Sequence, residues 1–320
     1  MADEVRTGTF SSTIEQIPGK ELDLRKRLRV HERLIQGFLF LCGAISIFTT
    51  VGIVVYLGRE AFKFFALPEV TLIQFFTGTV WQPKIEEFGI LPLLSATLIT
   101  TGIAMLVAIP TGLSVAIYLS EYASPRARGI IKPTLEILAG IPTVVLGYFA
   151  LTWVTPLLRS LIGENVVQIY NTASAGLVMG ILILPLISSM VEDALSAVPN
   201  SLREGAYGVG ATKLEVATQV VVPAAISGIT AAIIIGISRA VGEAMIVAIA
   251  AGAGPNLTIN PFIGAETMTG HIVRISGGDI SYESVEYESL FAIALFLFVI
   301  TLALNLISQR VIKRFREVYE

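Results

Sequence analysis

The sequence predicts an all-α polytopic membrane protein with six transmembrane helices and both termini in the cytoplasm. Apolar residues make up 54% of its 320 residues and charged residues only 15%, whereas a soluble domain carries roughly 25% charged residues. The mean hydropathy is +0.76. This composition excludes an ordinary soluble enzyme, a disordered chain and a disulfide scaffold. The single cysteine, Cys42, excludes an intrachain disulfide and a cysteine metal site.

Six apolar runs are long enough to cross a bilayer, since about 20 helical residues span a hydrocarbon core of about 30 Å. The predicted spans are residues 34–57, 93–119, 133–157, 172–191, 228–251 and 289–307. The runs are continuously apolar rather than alternating, which disfavours a β-barrel. The first run lacks the short apolar region and the cleavage site of a signal peptide, so it is predicted to remain as a span.

The basic residues predict the orientation, because cytoplasmic loops carry most of the Lys and Arg. With the N-terminus inside, 16 of the 22 basic residues fall in cytoplasmic segments and 5 in outer loops. We therefore predict a cytoplasmic tail, residues 1–33, in which residues 21–33 form a basic helix at the membrane surface. Residues 34–320 are predicted to form one transmembrane domain with a long cytoplasmic loop at 192–227.

Two long outer segments, 58–90 and 252–288, carry different side chains. The first is rich in aromatic residues, which favour the membrane interface, so we expect a helix lying in the outer headgroup layer. The second is acidic, and a docking surface for an outer partner is possible there. Its charged residues are Glu266, Arg274, Asp279, Glu283, Glu286 and Glu288.

One predicted span, 228–251, contains two charged residues near its middle, Arg239 and Glu243. A charge at the centre of a span costs about 2.5 kcal/mol or more. Their spacing of four predicts that they share one helical face. One interpretation is a self-neutralising ion pair that fixes the helix in its bundle. The other is a cation that attracts a passing anion, with Glu243 weakening the attraction enough for release. Glu136, about one turn into the third predicted span, is a weaker candidate.

Small residues recur at every fourth position of the same span and predict close approach of another helix. They are Gly228, Ala232, Gly236, Ala240, Ala244, Ala248 and Gly252. Both packing within the chain and a subunit interface fit this pattern.

The loop at 192–227 is too long for a simple connection and reads as a short helix, a glycine and a second helical stretch. It contains Glu204, Gly205, Ala206, Gly210 and Pro223, with the spacing of the EAA loop of ABC importer permeases, whose pattern is E-A-A-x₃-G-x₉-I-x-L-P. Gly205 replaces an alanine of that pattern, and valines replace its Ile and Leu. The resemblance implies the type I importer fold and a coupling helix that docks on an ATPase subunit.

Further segments resemble the phosphate permeases of this class, PstC more than its partner PstA. They include FFTGTVWQP, EILAGIPTVVLGYFAL, GISRAVGEAMIV and INPFIGAETMTGHIV. The resemblance implies that Arg239 and Glu243 line a phosphate pathway in the bacterial inner membrane. It implies as partners a second permease (PstA-like), an ATPase dimer (PstB-like) and an outer phosphate-binding protein (PstS-like). No cofactor and no nucleic acid are implied.

Three alternatives remain open on the sequence alone. One is a permease of this class for another oxyanion, such as molybdate or sulfate. An intramembrane enzyme is a second, although no H-E-x-x-H motif, Asp or His lies in a predicted span. The third is a passive anion channel, which leaves the EAA spacing unexplained.

The glycines at 205 and 210 have P-loop spacing, but Ala211 replaces the lysine of that motif. The chain therefore has no complete Walker A motif and is not expected to hydrolyse ATP itself.

Overall fold

The structure is a computed structural model and describes residues 30–278, 281 and 284–315, which are largely helical. The helices are α1 (Val30–Phe65), α2 (Leu72–Thr77), α3 (Leu91–Ile117), α4 (Pro125–Ala139), α5 (Thr143–Phe149), α6 (Thr155–Ile162), α7 (Thr172–Ser196), α8 (Asn200–Gly208), α9 (Lys213–Glu215), α10 (Val222–Ala224), α11 (Ile226–Val241), α12 (Met245–Ala250), α13 (Met268–Ser276) and α14 (Val285–Phe315). π-helical turns at Tyr118–Tyr122, Ala150–Val154 and Val216–Val221 extend α3, α5 and α9. Strands β1 (Trp81–Gln82) and β2 (Glu87–Phe88) form an antiparallel hairpin.

The chain divides into two compact units, Met1–Gly52 and Ile53–Glu320. In the first, the described residues are the N-terminal part of α1, whose apolar side chains such as Phe40 and Phe48 are exposed. The predicted basic helix at 21–33 lies outside the described residues except for 30–33, which open α1. The predicted boundary at residue 33 stays a prediction. All the sites discussed below lie in the second unit.

Five helical segments of the described chain are long and apolar enough to cross a membrane. They are Glu32–Phe65, Leu91–Tyr122, Thr143–Ile162, Thr172–Ser196 and Val285–Lys313. A sixth span results if Lys213–Ala224 and Ile226–Val241, which meet at a bend of 72°, count as one. Five of the predicted spans are therefore confirmed, with shifted ends.

The third span begins ten residues later than the sequence predicted. Helix α4 ends at Ala139, the chain turns, and Pro142 precedes the first residue of α5. Glu136 accordingly lies in the separate helix α4 and not within the span. The apolar run continues through the turn, so composition alone does not reveal the break.

Helices α3 and α7 form the tightest pair of the bundle because glycines of α7 face the backbone of α3. A Cβ atom at Gly180 would lie 2.8 Å from the carbonyl oxygen of Ala104, and one at Gly176 would lie 2.9 Å from that of Thr100. Small residues allow such close approach of helices in a membrane. The pair forms the centre of the main apolar core.

The aromatic outer segment forms a second core rather than a helix in the headgroup layer. Phe64, Phe75, Trp81 and Phe88 are at most 2% exposed and pack with Ile293 of α14. Edge-to-face contacts join Phe64 to Phe75 and to Phe88, a favoured geometry for aromatic pairs. The segment forms a short helix and a β-hairpin that fold these rings inward, so Phe64, Phe75 and Trp81 do not face a membrane interface as expected.

Candidate functional site at the broken fifth span

The predicted fifth span, 228–251, is not one continuous helix. Helix α11 ends at Val241 and α12 begins at Met245. The 16 residues of α11 reach only about 24 Å at 1.5 Å per residue, less than the core thickness of about 30 Å. Arg239 lies in the last turn of α11 and Glu243 lies in the break. The expectation that both residues share one helical face is therefore wrong.

Packing of the short helix α12 holds the break open. Gly147 of α5 leaves room for α12, since a Cβ there would lie 3.0 Å from the side chain of Ile249 and 3.2 Å from the carbonyl oxygen of Met245. The Thr269 hydroxyl of α13 donates a hydrogen bond of 2.6 Å to the carbonyl oxygen of Glu243. That bond satisfies a backbone acceptor that a continuous helix would have used internally.

Arg239 is exposed at this break. No hydrogen bond, ion pair or ring contact joins its guanidinium to any residue of the described ranges. The five N–H donors of an arginine fork are suited to binding an oxyanion through two bonds at once. The break therefore presents an unneutralised cation with free donors on a membrane-spanning segment.

Glu243 forms no ion pair or hydrogen bond with Arg239 and is only 8% exposed. Its Oε1 accepts hydrogen bonds from the backbone N–H groups of Met245, at 3.2 Å, and Ile246, at 3.5 Å. These are N–H groups at the start of α12 that lack partners within the helix, and a carboxylate there is favourable. The self-neutralising ion pair suggested by the spacing is not formed in this structure.

The small-residue stripe of α11 packs within the chain. A Cβ at Gly228 would lie 2.4 Å from the Cβ of Ala194, and one at Gly236 would lie 2.9 Å from the side chain of Ile187. Both neighbours belong to α7, and Ala232 and Gly236 are buried. This part of the stripe serves packing of α11 on α7, as the intrachain interpretation predicted, and is not free to form a subunit interface.

A polar cluster, the Glu266 cluster, lies at α13 and consists of the buried residues Trp81, Glu266 and His271 and the exposed Arg274. Glu266 Oε2 lies 3.2 Å from His271 Nδ1, and Glu266 Oε1 lies 2.5 Å from Arg274 Nε. Trp81 Nε1 donates to His271 Nε2 over 3.2 Å. Glu266 is 1% exposed, so it cannot belong to the acidic outer docking surface that the sequence suggested.

Helix α8 carries most of the EAA-like residues. Glu204, Gly205 and Gly210 are exposed, and Ala206 packs partly buried against the main core. The helix ends in a Schellman motif: Gly210 N–H donates to the Tyr207 carbonyl and Ala211 N–H to the Ala206 carbonyl. Gly210 has φ +88°, a conformation that favours glycine. The predicted helix, glycine and second helical stretch are confirmed, although Pro223 lies within α10 rather than after the helix.

Arg203 connects α8 to the ends of two spans. Its Nη2 lies 3.1 Å from Glu121 Oε1, in the π-helical turn after α3. It also donates to the carbonyl oxygens of Leu195, near the end of α7, and Val198. Sequence reasoning missed this residue, although it directly precedes Glu204 in the recognised loop.

The sequence offered little signal for the other residues of these networks. Glu121 reads as an ordinary loop charge, and Thr269 as a small polar residue in an outer segment. His271 is one of only two histidines in the chain. That rarity was the feature of the sequence that could have drawn attention to the Glu266 cluster. Their partners lie up to 190 residues away in sequence, so only the fold brings them together.

Comparison with known proteins identifies the family. Residues 108–317 match the family described as binding-protein-dependent transport system inner membrane component. The chain is 32% identical to a probable ABC transporter permease protein, YqgH, of Bacillus subtilis, over 87% of this chain and 94% of that protein. It is 31% identical to the phosphate transport system permease protein PstC of Mesorhizobium japonicum, over 82% and 86% respectively.

Solved structures of low identity share the fold. A bacterial alginate ABC transporter, in complex with a pentasaccharide-bound periplasmic protein, matches with a TM-score of 0.62 and 16% identity, over 90% of this chain and 98% of that one. The methionine transporter MetNI in an inward-facing conformation matches with a TM-score of 0.51 and 21% identity, over 71% and 94%. The type I importer permease fold is thereby confirmed. The chain belongs to the family of multi-pass inner-membrane permease components of binding-protein-dependent ABC transport systems.

Proposed function

We propose that this chain is a pathway-forming permease subunit of an ATP-driven phosphate importer. The observation that carries the proposal is Arg239, an exposed cation without a partner in the described chain, located where a membrane-spanning helix breaks. Relatives about 30% identical are named phosphate transport system permease protein PstC, which supports phosphate as the substrate. An oxyanion of this kind accepts paired hydrogen bonds from a planar guanidinium.

In this proposal Arg239 attracts phosphate and Glu243 limits how tightly it is retained. The carboxylate of Glu243 is fixed by the first N–H groups of α12, four residues beyond Arg239 in sequence. A pathway must bind an ion strongly enough for entry and weakly enough for release. The negative charge fixed in the break supplies the repulsive part of that balance.

The partners proposed are those of an ABC importer. A second, PstA-like permease completes the pathway, and a PstS-like outer protein delivers phosphate. A PstB-like ATPase dimer engages α8, on which Glu204, Gly205 and Tyr207 are exposed. Binding and release of ATP move α8, and the movement is passed to the spans. The chain itself lacks a complete Walker A motif and requires no cofactor of its own.

The test is phosphate uptake by vesicles that contain the whole transporter with its binding protein. We expect Arg239→Gln to abolish ATP-driven uptake, a loss of at least about 100-fold if two charge-assisted hydrogen bonds of about 1.5–3 kcal/mol each are removed. Assembly, measured by co-purification of the ATPase, should persist. Arg59→Gln is the matched control, because Arg59 is also exposed and unpaired among the described residues.

Normal phosphate uptake by the Arg239→Gln variant would show that Arg239 has no role in the pathway. The same vesicles, tested with sulfate and molybdate, identify the transported anion. If either of these anions stimulates ATP hydrolysis and phosphate does not, that anion and not phosphate is the substrate. ATP-independent flux in the wild-type protein would instead indicate a channel.

A further inference from the structure

Arg203 has more polar contacts outside its own helix than any other residue of α8 in the described chain. Its Nε and Nη2 lie 3.3 and 3.1 Å from Glu121 Oε1. Its Nη2 also donates to the Leu195 carbonyl at 2.8 Å, and its Nη1 donates to the Val198 carbonyl and to Asn200 Oδ1. We call Arg203, Glu121 and the carbonyls of Leu195 and Val198 the Arg203 cluster.

The cluster is shielded from water, which strengthens its bonds. The side chains of Arg203 and Glu121 are only 14% and 6% exposed. Charge-assisted hydrogen bonds are among the strong ones, and a low local dielectric favours them further. Neighbouring residues on the same helix differ: Glu204 and Gly205 face outward and are exposed. Thus α8 has one face bonded to the spans and another free to receive a partner.

The two spans joined by Arg203 pack tightly on each other. Gly176 and Gly180 of α7 lie so close to α3 that an added Cβ would come within 2.9 Å of its carbonyl oxygens, and such close packing transmits displacement from one helix to the other. A second arginine reinforces their ends: Arg128 of α4 donates to the Leu119 carbonyl beyond α3 and pairs with Glu192 of α7 at 3.4 Å. A displacement of Arg203 is therefore applied to α3 and α7 together.

On the C-terminal side, α8 continues into Gly210, which has φ +88° and open space around it. Beyond it, α9 starts with a separate capping box between Thr212 and Glu215. This junction also reaches a span end, because Lys213 Nζ of α9 lies over the ring of Tyr122, 5.2 Å from its centroid. The Arg203 cluster is the hydrogen-bonded connection through which α8 itself is held to the α3–α7 pair.

We propose that Arg203 is a positioning residue for energy coupling, which transmits displacement of α8 to the α3–α7 pair through Glu121 and the end of α7. The inference rests on the proposed function, in which an ATPase moves α8. Arg203 itself touches neither phosphate nor ATP. Its loss should therefore change how much phosphate is moved per ATP hydrolysed, rather than the affinity for the binding protein.

The experiment measures phosphate uptake and ATP hydrolysis in the same vesicles of the complete transporter. For Arg203→Gln and Glu121→Gln we expect the ratio of phosphate transported to ATP hydrolysed to fall about tenfold or more, with co-purification of the ATPase and the apparent KM for the loaded binding protein unchanged. Arg126→Gln is the matched control, because Arg126 is a nearby exposed arginine without a partner among the described residues. Its ratio should equal that of the wild type.

A covalent connection provides the second arm. In a Cys42→Ala background, Arg203→Cys with Glu121→Cys should lose coupling and regain it when a short bis-methanethiosulfonate reagent joins the two thiols. An unchanged ratio in Arg203→Gln and Glu121→Gln, whether both rates are normal or both reduced, overturns the inference. Should Arg203→Gln fail to assemble, Glu121→Gln decides, because it leaves the carbonyl bonds of Arg203 in place. Absence of ATP-driven phosphate uptake in the wild type would instead reject the proposed function.

Discussion

At the scale of single residues, Glu266 shows how neighbouring side chains stabilise a buried carboxylate. Burial raises the pKa of its carboxyl, but hydrogen bonds from His271 and Arg274 outweigh burial and lower the pKa from 4.5 to about 2. Because Trp81 donates to His271 Nε2, the ring proton lies on Nδ1 and faces Glu266. The cluster therefore satisfies the charged carboxylate of Glu266.

Replacing Glu266 should destabilise the protein at neutral pH. A pKa lowered from 4.5 to about 2 corresponds to a contribution on the order of 3 kcal/mol. This contribution is present above about pH 4.5 and is lost as the pH falls towards 2. We expect Glu266→Gln to lower the thermal midpoint in detergent at pH 7, with a difference from wild type that narrows below pH 4.5. Glu164→Gln, which alters an exposed pair with Arg159, is the control. An equal difference at pH 3 and pH 7 would contradict this role.

At the scale of elements, the end of α8 depends on one glycine. Gly210 occupies the position after the helix at φ +88°, where a side chain costs about 1–2 kcal/mol. A Cβ there would have open space around it, so the effect of a substitution is backbone strain and not a clash. The hydrogen bonds of Gly210 and Ala211 back to α8 depend on this conformation.

We expect Gly210→Ala to loosen the end of α8 and to reduce the ratio of phosphate transported to ATP hydrolysed by several-fold. Gly129→Ala is the matched control, because Gly129 lies in α4 with open space and without a positive φ. Both variants are measured in vesicles of the whole transporter. A coupling ratio for Gly210→Ala equal to that of Gly129→Ala would mean that the Schellman motif has no part in coupling.

The elements also show what could be predicted from the sequence. Length and apolar composition were sufficient for the spans that correspond to α1, α3, α7 and α14, and motif spacing was sufficient for α8. The break at 242–244 was not predictable, because it depends on α12 packing against Gly147 and on the bond from Thr269. Gly242 and Ala244 of the break are small residues that a continuous membrane helix also carries, and Glu243 indicated a charged site rather than a helix end. The sequence identified Arg239 and Glu243 together as the two charges of this segment, but that they do not pair became visible only when Glu243 was seen to cap α12.

At the scale of the whole molecule, the number of spans determines the side on which the chain ends. The described residues contain five clear spans, and a sixth only if the helices joined at the 72° bend cross together. Five spans would place the termini on opposite sides, and six on the same side. The basic residues favour six. Arg128, Lys132 and Arg203 also hold the ends of α3 and α7, so the residues that indicate the cytoplasmic side also stabilise it.

Reporter fusions decide between five and six spans. We expect green fluorescent protein fused after residue 320 to fluoresce, and alkaline phosphatase fused after residue 256 to be active, because these positions are predicted to be cytoplasmic and external. Phosphatase fused after residue 208 should be inactive and serves as the cytoplasmic control. An active phosphatase at the C-terminus would show that the bent pair does not cross the membrane.

The unpaired Arg239 also affects the stability of this chain in a membrane when its partner subunit is absent. A lone copy in the bilayer carries a charge that no side chain of the described ranges neutralises, and a charge near the middle of a membrane costs about 2.5 kcal/mol or more. A sister permease that encloses the break would relieve that cost. Under the proposed function, the stability of this chain in the membrane is then thermodynamically linked to the supply of its partner subunit.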